Sequence, residues 1–193
     1  VVRASKDERR LLHCLEERAK HTESPRMRAQ VLVELAGIQK NVGDERGASQ
    51  AYEAALKADP SNETAASHVI DVLVVQNRWA EAMPLAELLV SPGARERDPE
   101  GQWGRLRLAT KIALGKGDLD KALTWSIAQI DAREDEPDGW LDLLEVATRL
   151  KDAKKTAEFF EQARAADPRN LAALKGLERL YAKGDDHAKM VSV

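Results

Sequence analysis

The chain has 193 residues, of which 43% are hydrophobic, 33% charged and only 4% aromatic, and at this length a globular fold buries most of the surface its unfolded chain exposes. Lys and Arg number 30 against 33 Asp and Glu, a formal net charge of −3 with no long block of one sign, which argues against a nucleic-acid binder, whose affinity rests on clustered phosphate-neutralising side chains. The longest apolar runs, 72–75 among them, fall far below the roughly 18–20 residues that a membrane-inserted helix needs.

Ala and Leu dominate the apolar set, Pro and Gly recur as punctuation, and helical periodicity fills the intervals with no alternating apolar-polar stretch. The pattern predicts an all-α chain of ten helices over 5–21, 26–41, 44–58, 62–76, 79–90, 99–115, 118–132, 137–150, 152–166 and 170–183. The first opens on the polar run Ser5-Lys6-Asp7-Glu8, which suits a helix start. Its apolar positions Leu11, Leu12, Leu15 and Ala19 fit either a capping helix or the second half of a pair that begins upstream. The only long irregular connection expected is 91–101, Ser-Pro-Gly-Ala-Arg-Glu-Arg-Asp-Pro-Glu-Gly. The last helix presents Leu174, Leu177 and Tyr181 on one face and polar groups on the others, as a terminal cap does. The start at Val1 without an initiator Met points to an excised or processed piece, and the single Cys14 can form no internal disulfide, which favours the cytoplasm.

Self-similarity is visible. Ala55-Leu56-Lys57-Ala58-Asp59-Pro60-Ser61-Asn62 echoes Ala163-Arg164-Ala165-Ala166-Asp167-Pro168-Arg169-Asn170 at a distance of 108 residues, which is three periods of about 34 and six residues more. The 91–101 connection is the natural home of the surplus. A helix-turn-helix period of that length resembles the tetratricopeptide repeat family. The unit 29–62 carries the pattern through Leu35, Ala36, Gly43, Ala48, Tyr52, Ala55 and Pro60, and the unit 137–170 through Trp140, Leu143, Phe160, Ala163 and Pro168. Two further units keep only Ala82 or Ala122 and parts of their turns, Asn77-Arg78-Trp79 and Gly117-Asp118-Leu119. The resemblance implies a right-handed α-solenoid of antiparallel helix pairs, in which small residues allow close approach within a pair and large ones fill the gap between pairs. It divides the chain into a capping helix or half repeat over 1–25, two repeats over 26–90, a linker over 91–101, two repeats over 102–169, and a cap with a tail over 170–193.

The residues that carry chemistry elsewhere are scattered here. His13, His21, His68 and His187 show no i, i+4 pairing with a neighbouring Glu, so no metal site is expected, and His68 reads as a partly buried structural histidine. His13 and Cys14 are adjacent on a helix, where side chains diverge by about 100°, so they form no nucleophile-base pair and Cys14 reads as a small packing residue. Gly115-Lys116-Gly117 lacks both the leading glycine, replaced by Thr110, and the closing Ser or Thr of a phosphate loop. The run Asp131, Glu134, Asp135 and Glu136 reads as a solvated loop, and Trp79, Trp103, Trp125 and Trp140 as packing residues. No cofactor is implied and no catalysis is expected.

The resemblance also implies that the first helix of each pair lines the concave side, where a protein or peptide partner would bind. On this register the candidate groove residues are Gln30, Val33 and Lys40, then Ser67, Asp71 and Val74, then Arg107, Lys111 and Leu114, then Asp138, Glu145 and Arg149, and on the last helix Lys175, Arg179 and Lys183. Arg107 and Lys111 form a basic step suited to a partner's carboxylates. Val33 and Gly37 stand where chaperone-tail receptors of the family carry a lysine and an asparagine, which argues against such a receptor. Three functions remain: a non-catalytic scaffold or adaptor, a regulatory or sensor module that binds a short peptide or small ligand on behalf of an effector domain outside this chain, and an enzyme. The scaffold is favoured, with self-association through exposed ends as a further expectation.

Overall fold

The structure, a computed structural model, describes residues 5–133, 136–150, 157, 158, 160, 161, 164, 165, 169 and 171–183. Every element among them is helical: α1 Lys6–His21, α2 Pro25–Asn41, α3 Glu45–Ala58, α4 Glu63–Val75, α5 Trp79–Leu89, α6 Pro92–Arg97, α7 Gln102–Lys116, α8 Leu119–Ala132, α9 Pro137–Leu150 and α10 Leu171–Lys183. The expected helix over 152–166 lies largely outside the described residues, as do the Asp167-Pro168 turn, His187 and the side chains of Arg179 and Lys183. The chain divides into two compact units, Val1–Ala94 and Arg95–Val193.

In the first unit α1 packs on α2, α2 on α3, α3 on α4 and α4 on α5. Ser5 opens α1 with a complete capping box, its hydroxyl accepting from the Glu8 amide at 3.2 Å while the Glu8 carboxylate accepts from the Ser5 amide at 2.7 Å. Ser24 followed by Pro25 starts α2, with the Ser24 hydroxyl accepting from Met27 N at 3.4 Å. Asn62 caps α4 through Ala65 N at 2.9 Å, immediately after a turn in which Asp59 accepts from the Ser61 amide and hydroxyl. The core at the α2–α3–α4 contact is built mainly from alanine, with Ala29, Ala36, Ala55 and Ala65 wholly buried and Leu35 and Tyr52 nearly so.

The turns after α2, α4 and α7 repeat one another to the atom. After α2, Gly43 N donates to Lys40 O at 3.0 Å and Asp44 N to Gln39 O at 2.8 Å. After α4, Asn77 N donates to Val74 O and Arg78 N to Leu73 O at 3.1 and 2.9 Å; after α7, Gly117 N donates to Leu114 O and Asp118 N to Ala113 O at 3.2 and 2.9 Å. This is the Schellman motif, which needs a left-handed residue at its apex, and Gly43, Asn77 and Gly117 have φ of 81°, 56° and 83°. Gly43 and Asn77 lie 34 residues apart and Asn77 and Gly117 lie 40 apart, so the six-residue surplus falls between the second and third pairs.

That surplus is not irregular throughout. Ser91 accepts from Ala94 N at 3.4 Å and Pro92 begins the short helix α6, where an unstructured linker was expected. The next helix starts at Gln102 rather than Pro99, because Asp98 accepts from Gly101 N at 3.0 Å and is held by Arg105 at 2.5 Å. In the second unit α7 packs on α8 and α9, α8 on α9, and α9 on α10. Its core holds larger groups, Trp140, Leu143, Phe160 and Leu177 among them. Gly176 lies flat against the Phe160 ring, where an added Cβ would come within 2.6 Å of Cε1 and Cζ.

Overpacking a close helix contact costs about 1–3 kcal/mol. Ala55→Leu, at a site with no exposed surface, is expected to lower stability by that amount in urea unfolding, while Ala54→Leu on the half-buried neighbouring position changes it by less than about 0.5 kcal/mol. Equal effects of the two would show that the alanine contacts are not the tight ones.

Candidate functional site

Within the first unit α3, α4 and the start of α5 enclose a groove of about 320 Å³, at the low end of the roughly 300–1,000 Å³ that ligand pockets occupy. Leu56, Val69, Val72, Leu73 and Leu85 give it apolar walls, and Ser49, Glu53, Lys57, Arg78 and Glu81 stand at its polar margin. Tyr52 on α3 and His68 on α4 meet in its lining as stacked rings, with centroids 4.1 Å apart and planes 18° from parallel. Burial lowers the His68 pKa, Lys40 lowers it further, and Asp71 opposes both. Burial also raises the Tyr52 phenol. At the α5 margin Arg78 binds Glu81 through two bonds of 2.7 Å and Gln76 through one of 2.9 Å, so its charge is already answered.

The expected leading-helix positions of this unit lie elsewhere. At 100° per residue, Ser67, Asp71 and Val74 share one face of α4, and the groove-lining His68, Val69, Val72 and Leu73 centre on the opposite face. Gln30, Lys40, Ser67 and Asp71 are exposed, and Val33 and Val74 are half-buried. Lys40 at the end of α2 and Asp71 in the middle of α4 act on His68 with opposite sign.

In the second unit the expected residues are drawn into contacts of their own. Arg107 was expected to offer its guanidinium to a partner; instead it binds Asp138 at 2.6 Å and Asp142 at 3.5 Å on α9, and lies 5.4 Å from the Trp103 ring centroid. Buried Gln129 on α8 donates to Asp142 at 3.1 Å. Burial raises the Asp142 pKa against the opposing pull of Gln129 and Arg107. Arg149 binds Glu145 at 2.5 Å and donates to Leu114 O at 3.2 Å. Leu114 itself, expected on the groove surface, is only 8% exposed, although i+7 keeps it in phase with Arg107; α9 reaches this end of α7 through Arg149. Lys111 and Lys175 are exposed. Cys14 is exposed as well, not packed. Trp140 is buried, and Trp79, Trp103 and Trp125 are half-buried.

Among the described residues no group of His, Cys, Asp and Glu is placed to hold a metal ion, and no helix is long and apolar enough to cross a membrane. No protein-family model and no curated protein matches the sequence. Solved structures do match the fold. YrrB, described as a TPR protein with an unusual peptide-binding site, superposes with a TM-score of 0.59 at 17% identity, over 85% of this chain and 81% of its own. MamA gives 0.58 at 18% identity, over 85% and 88%. A tetratricopeptide repeat protein of Parabacteroides merdae gives 0.54 at 15% identity, over 96% and 70%. The fold is that of the tetratricopeptide repeat. On the register expected from the sequence α4 is a leading helix and α3 and α5 are trailing ones, and all three line the groove.

The lowered pKa of His68 fixes a sign. Where the folded pKa lies below the ordinary value of about 6.5, the contribution of the neutral ring is complete above that value and is lost as the pH falls through the folded pKa. The urea midpoint of the wild-type chain is therefore expected to drop more between pH 7.5 and pH 5 than that of His68→Phe, which keeps the stacked ring without its proton site. Identical pH profiles would remove His68 from the pH response.

Proposed function

We propose that this chain is a non-catalytic scaffold or adaptor that holds a protein or peptide partner against the leading helices of its tetratricopeptide repeats. The observation that carries the reading is the pair Lys40 and Asp71. Both are exposed, both act electrostatically on His68, and among the described residues neither has an ion pair. Unspent charges of opposite sign on adjacent leading helices suit a partner segment carrying an acid beside a base, and such rim charges act on registry and association rate. Arg107 and Arg149 in the second unit spend their charge on their own chain instead. A peptide partner agrees with the peptide-binding site that YrrB carries on the same fold. The balanced net charge favours protein over nucleic acid, and a lone exposed Cys14 fits a reducing, cytoplasmic setting.

The test is capture from native lysate on the wild-type chain and on the double variant Lys40→Glu, Asp71→Lys, read by quantitative mass spectrometry. At least one retained protein is expected to fall several-fold on the variant, while the thermal midpoint of the variant stays within a few degrees of the parent. Undiminished capture of every partner would show that this face does not bind. Arg107 is unsuitable for the purpose, since its replacement breaks the α7–α9 contact.

A further inference from the structure

The groove lined by α3, α4 and α5 centres on the face of α4 opposite Ser67, Asp71 and Val74, so it needs an account of its own. Its walls are aliphatic, from Leu56, Val69, Val72 and Leu85, and the Tyr52–His68 stack closes one part of them. Val75, 83% exposed, stands one helical turn beyond Val72 and continues the apolar surface outward. Exposed apolar groups around a concavity mark a place where another apolar group binds. The volume of about 320 Å³ accommodates a large side chain and its neighbour, which is the geometry of an anchor residue seated in a pocket.

The charges around the groove define the flank of that anchor. Arg78 is chelated by Glu81, so the α5 side offers no open charge. On the α3 side Glu53 and Lys57 stand at i and i+4, the order that favours pairing along a helix, yet no ion pair joins them. Glu53 instead acts across the groove on Arg78. Lys57 is exposed, and among the described residues no carboxylate lies within ion-pair distance of it. The groove thus has a hydrophobic interior, a neutralised α5 side and, on α3, the open cation Lys57 one turn from the carboxylate Glu53. We infer that it is a second docking site, and that its occupant is a peptide segment of a partner protein with one large aliphatic or aromatic anchor and a carboxylate a few residues away that meets Lys57. The anchor displaces water from the apolar walls, and the carboxylate fixes direction and register.

A phage-displayed random-peptide library panned on the full chain tests this, with selected peptides measured by fluorescence polarisation on the wild type and on Val72→Arg, Lys57→Glu and the double variant Lys40→Glu, Asp71→Lys. Selected peptides are expected to share a large apolar residue with a nearby acid, and to bind Val72→Arg and Lys57→Glu about tenfold more weakly or worse. Replacing the peptide's acid by lysine restores binding to Lys57→Glu alone. Lys57→Glu changes an exposed side chain, so the charge readout survives even if Val72→Arg unfolds. Peptides that bind both groove variants like the wild type overturn the site, and so does a selection that yields no peptide, because a groove built for an anchor selects one from random sequence. If groove-insensitive peptides are lost on the Lys40, Asp71 double variant, the leading-helix surface stands while the groove falls.

Discussion

Close approach of helix backbones governs this structure, and alanine permits it. Ala29, Ala36, Ala55, Ala65, Ala66 and Ala82 in the first unit, and Ala113 and Ala122 in the second, expose nothing to solvent. A methyl side chain loses no rotamer freedom on burial and lets two helices pack with little between them. Such a core gains less from large apolar side chains than from many short contacts, each small and collectively substantial. It is therefore intolerant of added volume at the contact positions and tolerant elsewhere. Tyr52, nearly buried in this core, stacks on half-buried His68 across the α3–α4 contact, and the two rings line a groove.

Those contacts were legible because their spacing is a property of sequence. Ala48 and Ala55 recur at a helical interval, and the 34-residue step with its surplus of six is measured by the echo of 55–62 in 163–170. Asn77 was less visible. It takes the same left-handed φ as Gly43 and Gly117, which its short polar side chain allows, but an Asn has many other uses and only its Schellman bonds identify the turn. The 91–101 segment misled for the opposite reason. Pro, Gly and charged residues read as irregular, yet a hydroxyl before Pro92 is also a helix start. The bonds that Asp98 makes to Gly101 and Arg105, which delay the next helix, depend on side-chain geometry that periodicity does not encode.

Binding surfaces were read less well than elements. Exposure follows from helical phase, so Gln30, Lys40, Ser67 and Asp71 fall on the surface, whereas Leu114, in phase with exposed Arg107, is buried at the end of α7, where α9 reaches it through Arg149. Ion pairs between helices cannot be seen in phase at all. Arg107 and Asp138 are 31 residues apart in sequence, and nothing local distinguishes a free arginine from one that bridges two leading helices. The same holds for Tyr52 and His68, each of which reads alone as a packing residue and only together as part of a groove lining.

The two units treat surface charge differently. Between α7 and α9 the guanidinium of Arg107 joins two carboxylates, and buried Gln129 binds one of them from α8. Burial raises the Asp142 pKa, and the donors Gln129 and Arg107 oppose that rise. Removing one partner of such a cluster leaves a desolvated charge uncompensated, so this network fixes the register of neighbouring pairs and has little freedom to answer a ligand. In the first unit the pairs are joined by apolar contact and by a turn, and Lys40, Lys57 and Asp71 have no such duty. Charges not needed to hold pairs together can change partner without loosening the fold.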